Sequence, residues 1–238
     1  MNNATDVARE SADILLLRSD IGVVINGIRY GREVFANINK YIRFTFVSNW
    51  GNFFALSALY LLSVAALPIL PVQILLASLL TDLPCITIAT DNIDTKELLS
   101  PSRFIIHSIM FISMFLGSVT AVFEIMYFAI IKNHTASIAE TGMYLFLTFT
   151  ALIVIFSIRN KEHFWLAPKL SSAMKLAFAF ITILALALAY IPATQKLLSF
   201  SALSLGLLTV TVLMTIIYFV VMDMIKVWFY EANFGNSH

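Results

Sequence analysis

The sequence predicts an all-α integral membrane protein. It reads as a helical bundle of six transmembrane helices, the first extended into a cytoplasmic stalk and preceded by a short remnant of a soluble α/β domain. Three observations predict this. The 238 residues are 60% hydrophobic and only 12% charged, with mean hydropathy +0.88, whereas a soluble domain carries about 25% charged residues. Apolar stretches of about 20 residues, the length that crosses a bilayer, recur along the chain. When six spans are threaded in turn, all of the 15 Lys and Arg residues except Lys132 and Lys196 fall on the side that holds the N-terminus. By the positive-inside rule that side is cytoplasmic, and both termini lie there.

Within residues 1–20, Thr5–Ala12 reads as a short helix and Asp13–Leu17 as a buried strand. A lone strand is not stable in water, so this stretch is expected to be the edge of a larger soluble domain. In residues 21–42, Ile21, Val24, Ile25, Ile28, Phe35, Ile38 and Tyr41 recur at helical spacing, with Arg29, Arg32, Glu33 and Lys40 between them. No proline precedes Pro68, so one helix is expected from about residue 21 to 66, roughly 70 Å long. That is about twice a bilayer's thickness, and its lower half must project as a stalk. The membrane domain, residues 43–230, holds spans near 43–66, 71–90, 104–131, 141–158, 173–192 and 203–226, and a short tail, 231–238, follows. Leu67–Pro71 makes a tight hairpin; polar connections occupy 91–103, 132–140, 159–172 and 193–201.

Polar groups at membrane depth are the candidate functional residues. Asp82 lies inside the apolar run Val72–Ala89, with Pro84 two residues on. A carboxylate there costs several kcal/mol unless something pairs with it. The proline removes a backbone hydrogen bond and frees a carbonyl. Ser78 and Thr81 add hydroxyl oxygens on neighbouring faces, and Asp82 is read as an ion ligand inside the bilayer. Asn49 and Asn52 share one face of the first span, and Gly51 between them admits a close backbone; the amides suit interhelical hydrogen bonds or ion ligation. Glu124 is a second acid at depth, either a structural acid or a possible additional ligand. Asp223 and Lys226, beside Trp228 and Tyr230, read as an interfacial pair with an aromatic anchor.

Other classes are excluded. A net charge of +1 gives no electrostatic case for nucleic acid, and the one cysteine, Cys85, permits neither an internal disulfide nor a thiolate cluster. The four histidines are scattered, without metal-ligand spacing, and neither repeats nor nucleophilic triads are visible. The first twenty residues lack the basic start and apolar core of a signal peptide.

The order of these pieces resembles the C-terminal portion of P-type cation-transporting ATPases. Residues 4–20 look like the stretch after that family's TGDGxND hinge motif, the edge of its soluble phosphorylation domain. Arg32–Ile42 resembles the family's stalk, and Pro71-Val-Gln-Ile-Leu…Leu-Thr-Asp82 its sixth transmembrane helix, whose aspartate binds the transported cation. Ser48-Asn-Trp-Gly-Asn52, Asp91-Asn-Ile-Asp94…Pro101-Ser-Arg-Phe104 and Gly117…Phe123-Glu-Ile125 are most similar to the bacterial magnesium-transporting branch. The resemblance implies that Asn49 and Asn52 lie at fifth-helix ligand positions and Asp82 at the sixth-helix position. Two departures stand out: Ser78 replaces an asparagine of many relatives, and Asn52 replaces a glutamate of calcium pumps, which argues against calcium.

The chain carries no DKTGT, TGES or TGDGxND motif and no nucleotide domain, and four further membrane helices of the family have no counterpart in it. It is therefore expected to be catalytically inactive alone and to have no cofactor of its own, the complete pump using Mg2+ and ATP. Its expected partners are the lipid bilayer, the transported cation and, if the pump is split, its N-terminal half; its expected place is the plasma (inner) membrane. Alternatives are a non-enzymatic remnant or regulator descended from such a pump, or an independent six-helix channel or transporter, against which no inverted repeat or filter pattern is visible.

Overall fold

In a computed structural model, residues 5, 7, 10–15, 20–62, 68–94 and 106–234 are described. Among them the regular elements are all helical. Asp13, Ile14 and Leu15 form no part of a strand; the rest of the expected strand, most of the expected helix at Thr5–Ala12, Pro101–Phe104 and residues 235–238 lie outside the described residues.

Helix α1 spans Ile21–Leu62, 42 residues and about 63 Å, unbroken as its proline-free sequence expects. Pro71 opens α2 (Pro71–Thr87), where its missing N–H costs nothing. Gln73 completes that end: its Oε1 accepts from Leu70 N (3.2 Å), and its Nε2 donates to Leu198 O (2.8 Å). A 3-10 turn, Ile88–Thr90, extends α2. Then come α3 (Ile106–Ile131), α4 (Ala136–Ile158), α5 (Ser172–Tyr190), the short α6 (Pro192–Leu198) and α7 (Leu205–Phe234). Ser171 caps α5, its Oγ accepting from Met174 N at 3.2 Å. Ser199, with φ 58°, ends α6 in the left-handed region.

Five of these helices are long and apolar enough to cross a membrane: α2 with its 3-10 extension, α3, α4, α5 and α7. The expected sixth, the upper half of α1, falls outside that group; the polar run Ser48–Asn52 lies within it. Two ends of the bundle are fixed by bonds between helix ends and loops distant in sequence. At one end Gln73 reaches Leu198, Ser201 N donates to Thr141 Oγ1 (2.9 Å) and Tyr190 Oη donates to Leu203 O (2.9 Å). At the other, Lys40, Asp91, Arg159, His163, Asp223 and Lys226 gather.

Helix α4 forms the axis of the bundle, with Met143, Tyr144, Leu145 and Phe146 all 0% exposed. Tyr127 of α3 stacks on Phe146 (4.3 Å between centroids) and Phe178 of α5 lies against Phe156 (4.4 Å). The outer faces of α5 and α7 stay apolar and exposed at Phe180, Ile183, Leu213, Ile216 and Val220, as lipid contact requires. Helices α1 and α3 meet through glycine. A β-carbon on Gly51 would lie 2.6 Å from Thr120 Cβ, and one on Gly117 3.1 Å from Gly51 N. Only missing side chains permit that approach.

Candidate functional site

Polar residues of helices α1 and α2 line a common pocket of about 50 Å³. Thr45, Ser48, Asn49 and Asn52 come from α1; Ser78, Thr81 and Asp82 come from α2. On each helix these positions fall at intervals of three or four, so a single face supplies them. Phe44, Ile74, Ala77, Leu147 and Ala151 close the apolar floor. The five residues singled out from the sequence in these two spans are thus brought together.

Their exposures differ. Thr81 is buried, Asn52 half-buried, and Asn49, Ser78 and Asp82 are exposed, so the pocket opens away from α4. Thr81 Oγ1 donates back to its own helix, near Ala77 O (3.1 Å) and Ser78 O (3.0 Å), which leaves its lone pairs as acceptors. The donor set is one carboxylate, two amide carbonyls and hydroxyls. Oxygen donors of this kind suit a hard cation. The pocket is several times the roughly 10–15 Å³ that one water needs, so an ion can keep part of its hydration there. Among the described residues no three His, Cys, Asp or Glu side chains converge on a common point, so Asp82 is the pocket's single acid.

Pro84 acts differently from what the sequence suggests. Helix α2 runs through it to Thr87 without unwinding. The carbonyl deprived of its partner belongs to Leu80, four residues earlier, and Leu80 does not line the pocket.

Glu124 is not a lining residue. It is 0% exposed on α3, and neither carboxyl oxygen has a hydrogen-bond partner. One turn before it, Thr120 and Tyr218 hydroxyls pair at 2.9 Å; one turn after, Tyr127 and Thr211 pair at 2.7 Å. The Asp223–Lys226 pair is present at 2.8 Å and is buried within the protein. Lys226 Nζ also donates to Ser157 O (2.8 Å) and Glu162 O (2.7 Å), and Asp223 pairs with His163 Nδ1 (2.9 Å) and accepts from Ser157 Oγ (3.2 Å). Full satisfaction by the loop after α4 is what permits the burial.

Sequence reasoning missed Thr45, and it missed a cluster below the pocket. Asp91 Oδ2 and Oδ1 accept from Arg159 Nε and Nη2, both at 3.0 Å, and Oδ2 also accepts from Lys40 Nζ at 3.1 Å.

The chain is thus a helical membrane bundle with an oxygen-lined pocket between two of its helices. Residues 66–228 match the family model "Cation transporting ATPase, C-terminus", more than half of the chain, which therefore belongs to that family. Over 99% of its length the chain is 26% identical to the magnesium-transporting ATPase, P-type 1, of Escherichia coli K12, and 24% identical to that of Salmonella typhimurium strain 14028s. It covers 27% and 26% of those proteins. A putative cation-transporting ATPase of Methanocaldococcus jannaschii is 31% identical over 71% of the chain, which covers 21% of that protein. The chain thus spans about a quarter of the length of the curated relatives it matches.

Proposed function

We propose that this chain is the membrane part of a P-type pump for a hard divalent cation of the magnesium type, and that it supplies part of the ion-binding site. The observation that carries the reading is the convergence of Asn49, Asn52, Ser78, Thr81 and Asp82 on one small pocket. Asp82 supplies the formal charge opposite the cation, and the amides and hydroxyls orient it or its retained waters. The magnesium-transporting names of relatives aligned along nearly the whole chain support the choice of ion.

In this reading the upper half of α1 is a sixth span and its lower half a cytoplasmic stalk. Both termini face the cytoplasm of a plasma-membrane protein. The open side of the pocket is covered by membrane helices outside this sequence. ATP binding and aspartyl phosphorylation reside in such segments as well, and the chain alone hydrolyses no ATP. Asp223, Lys226 and His163 hold the bundle together, and Glu124 stands apart from the ion.

The test uses the chain assembled with the catalytic segments of its pump in liposomes. Mg2+-stimulated ATP hydrolysis and uptake of Mg2+ are expected, and both are expected to fail when Asp82→Asn removes the charge. Retention of full ion dependence in Asp82→Asn would overturn the site.

A further inference from the structure

Asp91 sits nine residues beyond Asp82 on the α2 side, and Lys40 sits nine residues before Asn49 on the α1 side. The two helices that line the pocket are therefore joined again below it, about 13 Å away along α1 at 1.5 Å per residue and at the turn that follows α2. The joint is dense. Besides its bond to Asp91, Lys40 Nζ donates to Asn92 O at 3.0 Å. Asn37, one turn earlier on α1, donates through Nδ2 to both Ala89 O and Asp91 O at 3.1 Å. Asn92 Nδ2 donates to Lys169 O at 2.7 Å. The Asp91 side chain is 0% exposed, and those of Lys40 and Arg159 are 6% and 5%.

The two cations hold Asp91 differently. Arg159, at the end of α4, takes both carboxylate oxygens through a planar fork, a geometry that fixes orientation as well as distance. Lys40 shares one oxygen through a rotatable ammonium on a flexible stem. The turn after α2 is thus anchored to the bundle axis by Arg159, and α1 is tied to that anchored turn by Lys40.

We propose that Lys40 is a positioning residue for the ion pocket: through Asp91 it sets the height of α1 against α2, and so the register of Asn49 and Asn52 against Ser78 and Asp82. Lys40 is too far along the helix to touch a pocket ion, so its effect on binding is exerted through this register. The inference rests on the function proposed above.

Two measurements test it. In the full chain in lipid nanodiscs, nitroxides on Phe53→Cys and Leu79→Cys, exposed positions at pocket height on α1 and α2, report the register as a distance distribution. Lys40→Met is expected to shift or broaden that distribution, and Lys40→Arg to restore it. In the assembled pump, Lys40→Met is expected to raise the half-saturating Mg2+ concentration about tenfold while leaving maximal turnover within about twofold, with rescue by Lys40→Arg; Arg29→Met, which breaks only an exposed pair with Glu33, leaves both unchanged. A distance distribution unaltered by Lys40→Met overturns the proposal. So does a shifted register with unaltered Mg2+ dependence. A wild-type pump indifferent to Mg2+ whose register still answers to Lys40 overturns the assigned ion instead, and leaves the α1–α2 tie in place.

Discussion

Gly51 of α1 and Gly117 of α3 pack back to back, so that a β-carbon on Gly117 would fall 2.9 Å from Trp50 Cβ and 3.1 Å from Val47 O. The obstructing atoms include backbone, which has no rotamer with which to yield. Gly117→Val is therefore expected to push α1 from α3 and destabilise the bundle by about 1–3 kcal/mol or more. A clear fall in the detergent unfolding midpoint would be measured, whereas Gly31→Ala, at an open position of the stalk, does not lower it.

Removing the pocket's charge is the direct test of the site. Asp82→Asn keeps size and removes the formal charge opposite a divalent ion, which costs a few kcal/mol at a low effective dielectric. Ion-stimulated hydrolysis by the assembled pump should fall about a hundredfold or more at fixed ion concentration, since 1.4 kcal/mol is tenfold. Glu124→Gln, outside the pocket, should do less. The reverse ranking would place the ion path along α3.

Breaking a satisfied buried ion pair from one side leaves the other charge stranded. Lys226→Met is expected to cost about 3–5 kcal/mol, because Asp223, 2% exposed, would retain only the partners Ser157, His163 and Phe164. The double variant Lys226→Met with Asp223→Leu should be milder than Lys226→Met alone. Equal losses in a thermal-unfolding series would show that the pair contributes nothing as a pair.

Sidedness follows from charge. With Cys85→Ser removing the buried native thiol, a cysteine at exposed Asn133 should react with an impermeant thiol reagent added outside sealed cells. One at exposed Lys161 should react only after permeabilisation. Labelling at Lys161 in sealed cells reverses the assigned orientation.

The helices were legible because lipid-facing surface demands uninterrupted apolar runs, and their ends less so because ends are set by contacts distant in sequence. Helix α4 begins at Ala136, not near 141, since Glu140 in its second turn reads as a loop residue from sequence alone. Helix α7 runs on to Phe234 because Asp223 and Lys226, which look like a membrane boundary, are satisfied inside the bundle by residues 157–164. In the pocket, a carboxylate and two amides stand out against apolar neighbours, while Thr45 is a single hydroxyl with nothing local to mark it. The Asp91 cluster was invisible for a related reason. Its partners lie 51 and 68 residues away, and pairing at that range leaves no periodicity to read.

Pro84 gives the two walls of the pocket unequal stiffness. Helix α1 carries its hydrogen-bond ladder without interruption from Ile21 to Leu62, while α2 lacks one rung, from the Leu80 carbonyl to Pro84, at the level of Asp82 itself. A displacement applied at the foot of α1 travels to Asn49 and Asn52 as along a rigid rod. The same displacement entering α2 at Asp91 reaches Asp82 within the weakened turn, and part of it is absorbed as bending there. Movement at one end of the molecule is thereby shared unequally between the amide wall and the carboxylate wall of the pocket.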